Sequence, residues 1–85
     1  MDNLRDNINS IDNEILNLLK KRMEISKQIG KYKKDNNLPI FDSKRELLLI
    51  ERLKKINKET DNQINEDFIE EFWNNIMFYS KKLQE

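Results

Sequence analysis

An apolar stripe in the first third of the chain constrains the fold more than any other feature. Its positions recur at alternating steps of four and three residues: Leu4, Ile8, Ile11, Ile15, Leu18, Arg22, Ile25, Ile29 and Tyr32. This spacing places them on one face of a long α-helix. Because the 85 residues include one glycine, one proline and no strand-like alternation, the sequence predicts an all-α fold.

The chain is predicted to be a single domain, residues 1–85, with one long helix followed by two shorter ones. The long helix should run from about Leu4 to about Lys34. The polar cluster Asp35-Asn36-Asn37 closes it, and Pro39 forbids its continuation.

The two shorter helices are recognised by their start signals. The second helix should begin after Asp42-Ser43, since Ser43 and Glu46 have the spacing of a capping box, and it should fade near Asn57. In the third helix Asn65 is the expected N-cap, followed by an acidic first turn.

The length of the first helix predicts a dimer. Its 31 residues would span roughly 46 Å, whereas a compact monomer of this size would be only about 30 Å across. The long helix must therefore project beyond the rest of the chain. Because the apolar stripe continues along the projecting part, we expect an intertwined homodimer in which two long helices pair antiparallel or cross, and the shorter helices wrap them.

The composition excludes several classes of function. Sixteen basic and sixteen acidic residues cancel, which argues against a nucleic-acid partner or a membrane-surface partner. The lack of cysteine and histidine excludes thiol nucleophiles, disulfides and the usual metal sites. No apolar run approaches the length of a membrane span, and no signal peptide is visible. We therefore expect a soluble, cytoplasmic protein without a histidine or cysteine metal site.

Arg22 interrupts the apolar stripe. A guanidinium in such a position needs a partner that compensates its desolvation. Lys33 lies roughly 16 Å further along nearly the same line of the helix, so the two cations could flank a small anion. Gly30, which costs about 1 kcal/mol in a helix interior, would be explained by the close approach of a ligand or of a second backbone. A buried ion pair that sets the helix register would explain Arg22 equally well.

Other polar and charged residues stand out in the three predicted helices. Ser80 stands at an apolar position of the third helix, with Gln84 one turn further on, and Arg45 and Glu46 open the second helix. Arg5 lies some 25 Å along the first helix from Arg22, so only the antiparallel helix of a second chain could bring it to the same site. Taken singly, such residues are more often caps, surface charges, small residues bonding back to their own helix, or frayed ends, and only their coincidence favours a functional site.

Together, the residues resemble the all-helical, type II class of chorismate mutases over essentially the whole chain. The motifs that carry the resemblance are Leu4-Arg5 with Ile8, Ile11-Asp12, Leu18-Leu19, Arg22, Ile29-Gly30 with Lys33, Leu38-Pro39-Ile40 with Asp42, Arg45-Glu46, and Ser80 with Gln84. The order and spacing of these motifs together are specific.

The resemblance implies an isomerase that rearranges chorismate to prephenate, on the route to phenylalanine and tyrosine, with no covalent intermediate and no cofactor. Arg22, together with Arg5 of the other subunit, would bind the substrate carboxylates. Lys33 and Gln84 would donate hydrogen bonds to the ether oxygen as negative charge develops there.

The resemblance also assigns the rest of the site. Glu46 would bind the ring hydroxyl, and Asp42, Arg45 and Ser80 would complete the wall and its carboxylate contacts. Two alternatives stay open at the level of sequence. One is an isochorismate pyruvate lyase, which has a similar fold and a similar cationic pocket. The other is a noncatalytic dimerisation or regulatory module of a shikimate-pathway enzyme.

Overall fold

The computed structural model describes residues Met1–Glu85 and consists of three α-helices and no strands. Helix α1 spans Asp2–Asp35, α2 spans Ser43–Glu59 and α3 spans Glu66–Gln84. Helix α3 packs against both α1 and α2, whereas α1 and α2 do not pack against each other. The all-α prediction, with one long helix and two shorter ones, is confirmed. None of the three helices is long and apolar enough to cross a membrane.

Helix α1 ends in a hydrogen-bonded reversal that turns the chain back toward the helix. Asn37 adopts a left-handed conformation with φ of 54°, which asparagine tolerates better than most residues. The backbone N–H of Leu38 donates to the carbonyl of Lys33 at 2.7 Å, and that of Asn37 donates to Lys34 at 3.3 Å. These two bonds form a Schellman motif, and Pro39 follows it at a position where a proline prevents the helix from continuing.

The starts of α2 and α3 are both capped by side chains. The N-cap of α2 is Asp42, whose carboxylate accepts from the backbone N–H of Arg45 at 3.0 Å. The predicted capping box of Ser43 and Glu46 is therefore wrong by one residue, and Glu46 is left free for other contacts. Asn65 caps α3 as predicted and accepts from two backbone N–H groups of the first turn.

Within the single chain, α1 buries a face other than its apolar stripe. The apolar stripe is exposed in the single chain, with Leu4 64%, Ile11 52% and Tyr32 63% accessible. The buried residues of α1 are instead Ser26 and Gly30. Small residues at this four-residue spacing let α3 approach closely, and the buried apolar residues belong to α2 and α3: Ile50, Ile69, Ile76 and Met77.

The chain is elongated because α1 projects beyond the other helices. Its longest dimension is 52 Å, and its radius of gyration is 15.6 Å. A compact chain of this length would have a radius of gyration of about 12 Å. The N-terminal half of α1 therefore presents its apolar residues outside the packed part of the molecule.

Candidate active site

A cavity of about 350 Å³ lies between α1, the start of α2 and the end of α3. Seven of the eight residues proposed from the sequence line it: Arg22, Lys33, Asp42, Arg45, Glu46, Ser80 and Gln84. The eighth, Arg5, is exposed near the start of α1 and does not contribute to this cavity. One wall of the cavity carries apolar side chains, among them Ile25, Ile29 and Leu49.

Arg22 lies half-buried at one end of the cavity. It donates from Nη1 to the hydroxyl of Ser80 at 2.6 Å, and no carboxylate lies within ion-pair distance of it. Burial, and secondarily the positive charge of Arg45, lower the pKa of Arg22 from its ordinary value. Because a guanidinium has five N–H donors, it keeps donors for an anionic ligand. The structural ion pair considered for Arg22 is absent from the chain.

Lys33 lies at the opposite end of the cavity, where the reversal after α1 meets α3. Its ammonium donates to the backbone carbonyl of Ile40 at 2.9 Å and to Oε1 of Gln84 at 3.1 Å. Of its three N–H donors, one is left for a ligand. Since Oε1 of Gln84 faces Lys33, the amide nitrogen is the end of that side chain that remains free to donate.

Gly30 allows Gln84 to reach the cavity. It is buried on the face of α1 that α3 covers, and a Cβ built on it would lie 2.9 Å from Cβ of Gln84 and 3.0 Å from its carbonyl oxygen. Of the two explanations offered by the sequence, the close approach of a second backbone is the one found. No larger residue fits here without moving the end of α3.

Glu46 is held by a residue that sequence reasoning missed. The ammonium of Lys81 lies 3.0 Å from one carboxylate oxygen of Glu46 and 3.4 Å from the other. Both residues line the cavity. The spacing of Met77, Lys81 and Gln84, in steps of four and three, was the available signal that Lys81 shares the face of α3 that turns to the site.

The cavity suits a small dianion. Four cations and two carboxylates line it, so it carries an excess of two positive charges: Arg22, Lys33, Arg45 and Lys81 against Asp42 and Glu46. No group of three or more metal-binding side chains occurs in the structure. The arrangement can therefore bind carboxylates with cations, place an apolar skeleton on the aliphatic wall, and donate hydrogen bonds to a charge that develops near Lys33.

The chain is similar to known proteins over most of its length. The family model described as chorismate mutase type II matches residues 4–85. A solved structure of a conserved hypothetical protein from Pyrococcus furiosus superposes with a TM-score of 0.75 at 43% identity, covering 96% of this chain and 91% of that one.

Two curated relatives carry names that state an activity. The bifunctional chorismate mutase/prephenate dehydratase of Aquifex aeolicus is 45% identical over 56 residues, which is 66% of this chain and 16% of that protein. The chorismate mutase of Methanocaldococcus jannaschii is 36% identical over 56 residues, which is 66% of this chain and 57% of that protein. The chain thus spans about a sixth of the length of the first relative and somewhat more than half of the second.

Proposed function

The chain belongs to the type II chorismate mutase family, and from that premise we propose that it is an isomerase that rearranges chorismate to prephenate, on the route to phenylalanine and tyrosine. The observation that carries the proposal is Arg22. It is a half-buried cation with no protein carboxylate beside it, at one end of a cavity with an excess of two positive charges. Chorismate brings two carboxylates, which would neutralise that excess.

Binding would fold the substrate into its reactive shape. Arg22 clamps one carboxylate with the donors that Ser80 does not use, and its planar guanidinium fixes the orientation of that group. The apolar wall of the cavity covers the ring. Holding the enolpyruvyl arm over the ring removes the entropy cost of reaching the cyclic transition state.

Lys33 and Gln84 would act on the reacting bond itself. In this rearrangement the C–O bond breaks ahead of C–C bond formation, which leaves partial negative charge on the ether oxygen. The free N–H of the Lys33 ammonium and the amide N–H of Gln84 are the donors for that oxygen. Their mutual hydrogen bond of 3.1 Å keeps both in place before the charge develops.

The other lining residues would recognise the rest of the substrate. Glu46 accepts the hydrogen bond of the ring hydroxyl, while Asp42 and Arg45 close the wall at the start of α2. Because Asp42 also caps α2 through the backbone of Arg45, both side chains are tied to the same helix start. No step of the proposed reaction needs a covalent intermediate or a cofactor.

A second copy of the chain would complete the site. The apolar stripe of α1 is exposed, and α1 projects from a molecule 52 Å long that has only four buried apolar side chains. We propose that two chains intertwine through this stripe. An antiparallel partner helix would bring Arg5 of the second chain to the cavity, where it would bind the other substrate carboxylate.

The test is to add chorismate to the purified chain, follow its absorbance and identify the product. Prephenate as the product supports the proposal. Salicylate and pyruvate would instead identify an isochorismate pyruvate lyase when isochorismate is supplied. A folded dimer that consumes neither compound would be a noncatalytic module.

A further inference from the structure

Lys81 occupies a position in the cavity that no assigned role explains. Its ammonium approaches both carboxylate oxygens of Glu46, at 3.0 and 3.4 Å, and lies 4.5 Å from the centre of the Phe41 ring. The side chains of Lys81 and Glu46 are only 27% and 24% exposed. The ammonium is therefore held on two sides, by a carboxylate and by an aromatic face.

We propose that Lys81 is a positioning residue of the active site, which holds the Glu46 carboxylate in place for the substrate hydroxyl and compensates its charge. This inference rests on the proposed function, in which Glu46 binds that hydroxyl. Lys81 itself does not need to touch the substrate.

The need for such a residue follows from the charge of the substrate. An uncompensated carboxylate in this small cavity would repel a dianionic substrate. The repulsion would be strong, because Glu46 must lie close to the substrate to form a hydrogen bond with its hydroxyl. Lys81 offsets this repulsion with an adjacent positive charge. Because it occupies only part of the lone-pair capacity of the carboxylate, an acceptor site is left for a hydroxyl.

The neighbouring lysine shows that this placement is specific. Lys82 follows Lys81 on α3, but its ammonium lies over the rings of Phe78 and Tyr79 and does not line the cavity. The two residues share charge, length and helix position to within one residue. Lys82 is therefore a matched control for the removal of a lysine from the end of α3.

The experiment compares the kinetics of chorismate rearrangement in four proteins. Lys81→Met should lower kcat/KM about tenfold, mainly by raising KM, because the contact that it supports exists in the bound substrate and in the transition state alike. Lys81→Arg should recover most of that loss, and Lys82→Met should behave as wild type. Should Lys81→Met fail to fold by circular dichroism, Lys81→Gln replaces it.

A double-mutant cycle separates positioning from direct binding. In a Glu46→Gln protein, Lys81→Met should change kcat/KM less than twofold, since there is no carboxylate left to hold. The same tenfold loss in that background would overturn the proposal, because Lys81 would then act on the substrate itself. Wild-type kinetics for Lys81→Met would overturn it as well. A wild-type protein without turnover would instead overturn the proposed function.

Discussion

Gly30 and Gln84 are in backbone contact: a Cβ at position 30 would lie 2.6 Å from Cα of Gln84. Alanine in place of a glycine in a helix interior ordinarily stabilises by about 1 kcal/mol. In Gly30→Ala, however, the added methyl meets the backbone of α3 rather than a movable side-chain end. We expect overpacking to win and to destabilise by roughly 1–3 kcal/mol.

The same substitution should impair catalysis, because the end of α3 that carries Gln84 must move away from Lys33. We expect kcat/KM to fall at least about tenfold, as misplacements of about 1 Å can cost a hundredfold. Urea unfolding and steady-state kinetics measure the two effects. The difference between Lys31→Ala and Lys31→Gly, at the exposed next position, is the control for helix propensity alone. A more stable and fully active Gly30→Ala protein would contradict the importance of this contact.

Lys33→Ala should reduce turnover far more than it weakens binding. The free N–H of Lys33 is aimed at a charge that exists only in the transition state, so we expect kcat to fall on the order of a hundredfold or more. The dissociation constant of chorismate, or of a stable dicarboxylate analogue, should rise much less. Equal losses in binding and in turnover would assign Lys33 to substrate binding only.

Arg5→Ala and Arg22→Ala should complement each other in mixed dimers. Each variant alone should be nearly inactive, since each lacks a carboxylate ligand in both sites. After random subunit exchange, half of the dimers are mixed and each of them has one intact site, so about a quarter of the wild-type activity should return. Activity that stays at the level of the separate variants would exclude a site shared between chains.

Lys54 links α2 to α3, and we expect this link to lose its stabilising effect at alkaline pH. Its ammonium donates to Glu70 at 3.1 Å, and that hydrogen bond raises the pKa of Lys54 above its ordinary value of 10.5. A raised pKa in the folded state means that the stabilisation is complete below pH 10.5 and is lost as the pH rises through the folded-state pKa.

The stability difference between wild type and Lys54→Met should therefore decrease at alkaline pH. The difference in Tm should be constant from neutral pH to about pH 9 and should shrink toward zero as the pH rises above about 10.5. Lys55→Met is the control, because the ammonium of Lys55 makes only a long contact, 3.9 Å, with Glu59 of the same helix. A difference that grows with pH would show that the link is not an ion pair.

The sequence predicted the helices well because the signals for them are local. The cap at Asn65 and the stop at residues 35–39 depend on residues that are adjacent in the chain. The start of α2 was placed one residue late because Asp42 and Ser43 are both good caps, and only the backbone geometry shows which side chain reaches the Arg45 N–H.

Most of the polar residues that line the cavity were predicted from the sequence, but Lys81 and the contacts between these residues were not. Misplaced polar residues pointed to Arg22 and Ser80, yet the pairing of Glu46 with Lys81 joins residues 35 positions apart on two different helices. Two successive lysines look alike in a sequence, and helix geometry alone directs one of them into the cavity. Likewise, hydrophobicity identified the apolar stripe but could not show that α3 packs on another face of α1.

The exposed stripe of α1 is the predicted dimer interface. Ile11 lies on the stripe and is 52% exposed in the single chain, so Ile11→Asp places a charge on a face of α1 that is open to solvent in the single chain. In a monomer this change would be nearly neutral, within about 0.5 kcal/mol. In an intertwined dimer it would bury an unpaired carboxylate in both subunits, which costs several kcal/mol. We expect Ile11→Asp to lower Tm strongly and to shift sedimentation from dimer toward monomer or unfolded chain. Asn13→Asp, on the opposite face of α1, adds the same charge and should change neither.

The Tm of the wild type should also rise with protein concentration, because the folded state binds a second copy of itself. Equal Tm values for Ile11→Asp and Asn13→Asp, with no concentration dependence, would show that the stripe does not form the interface.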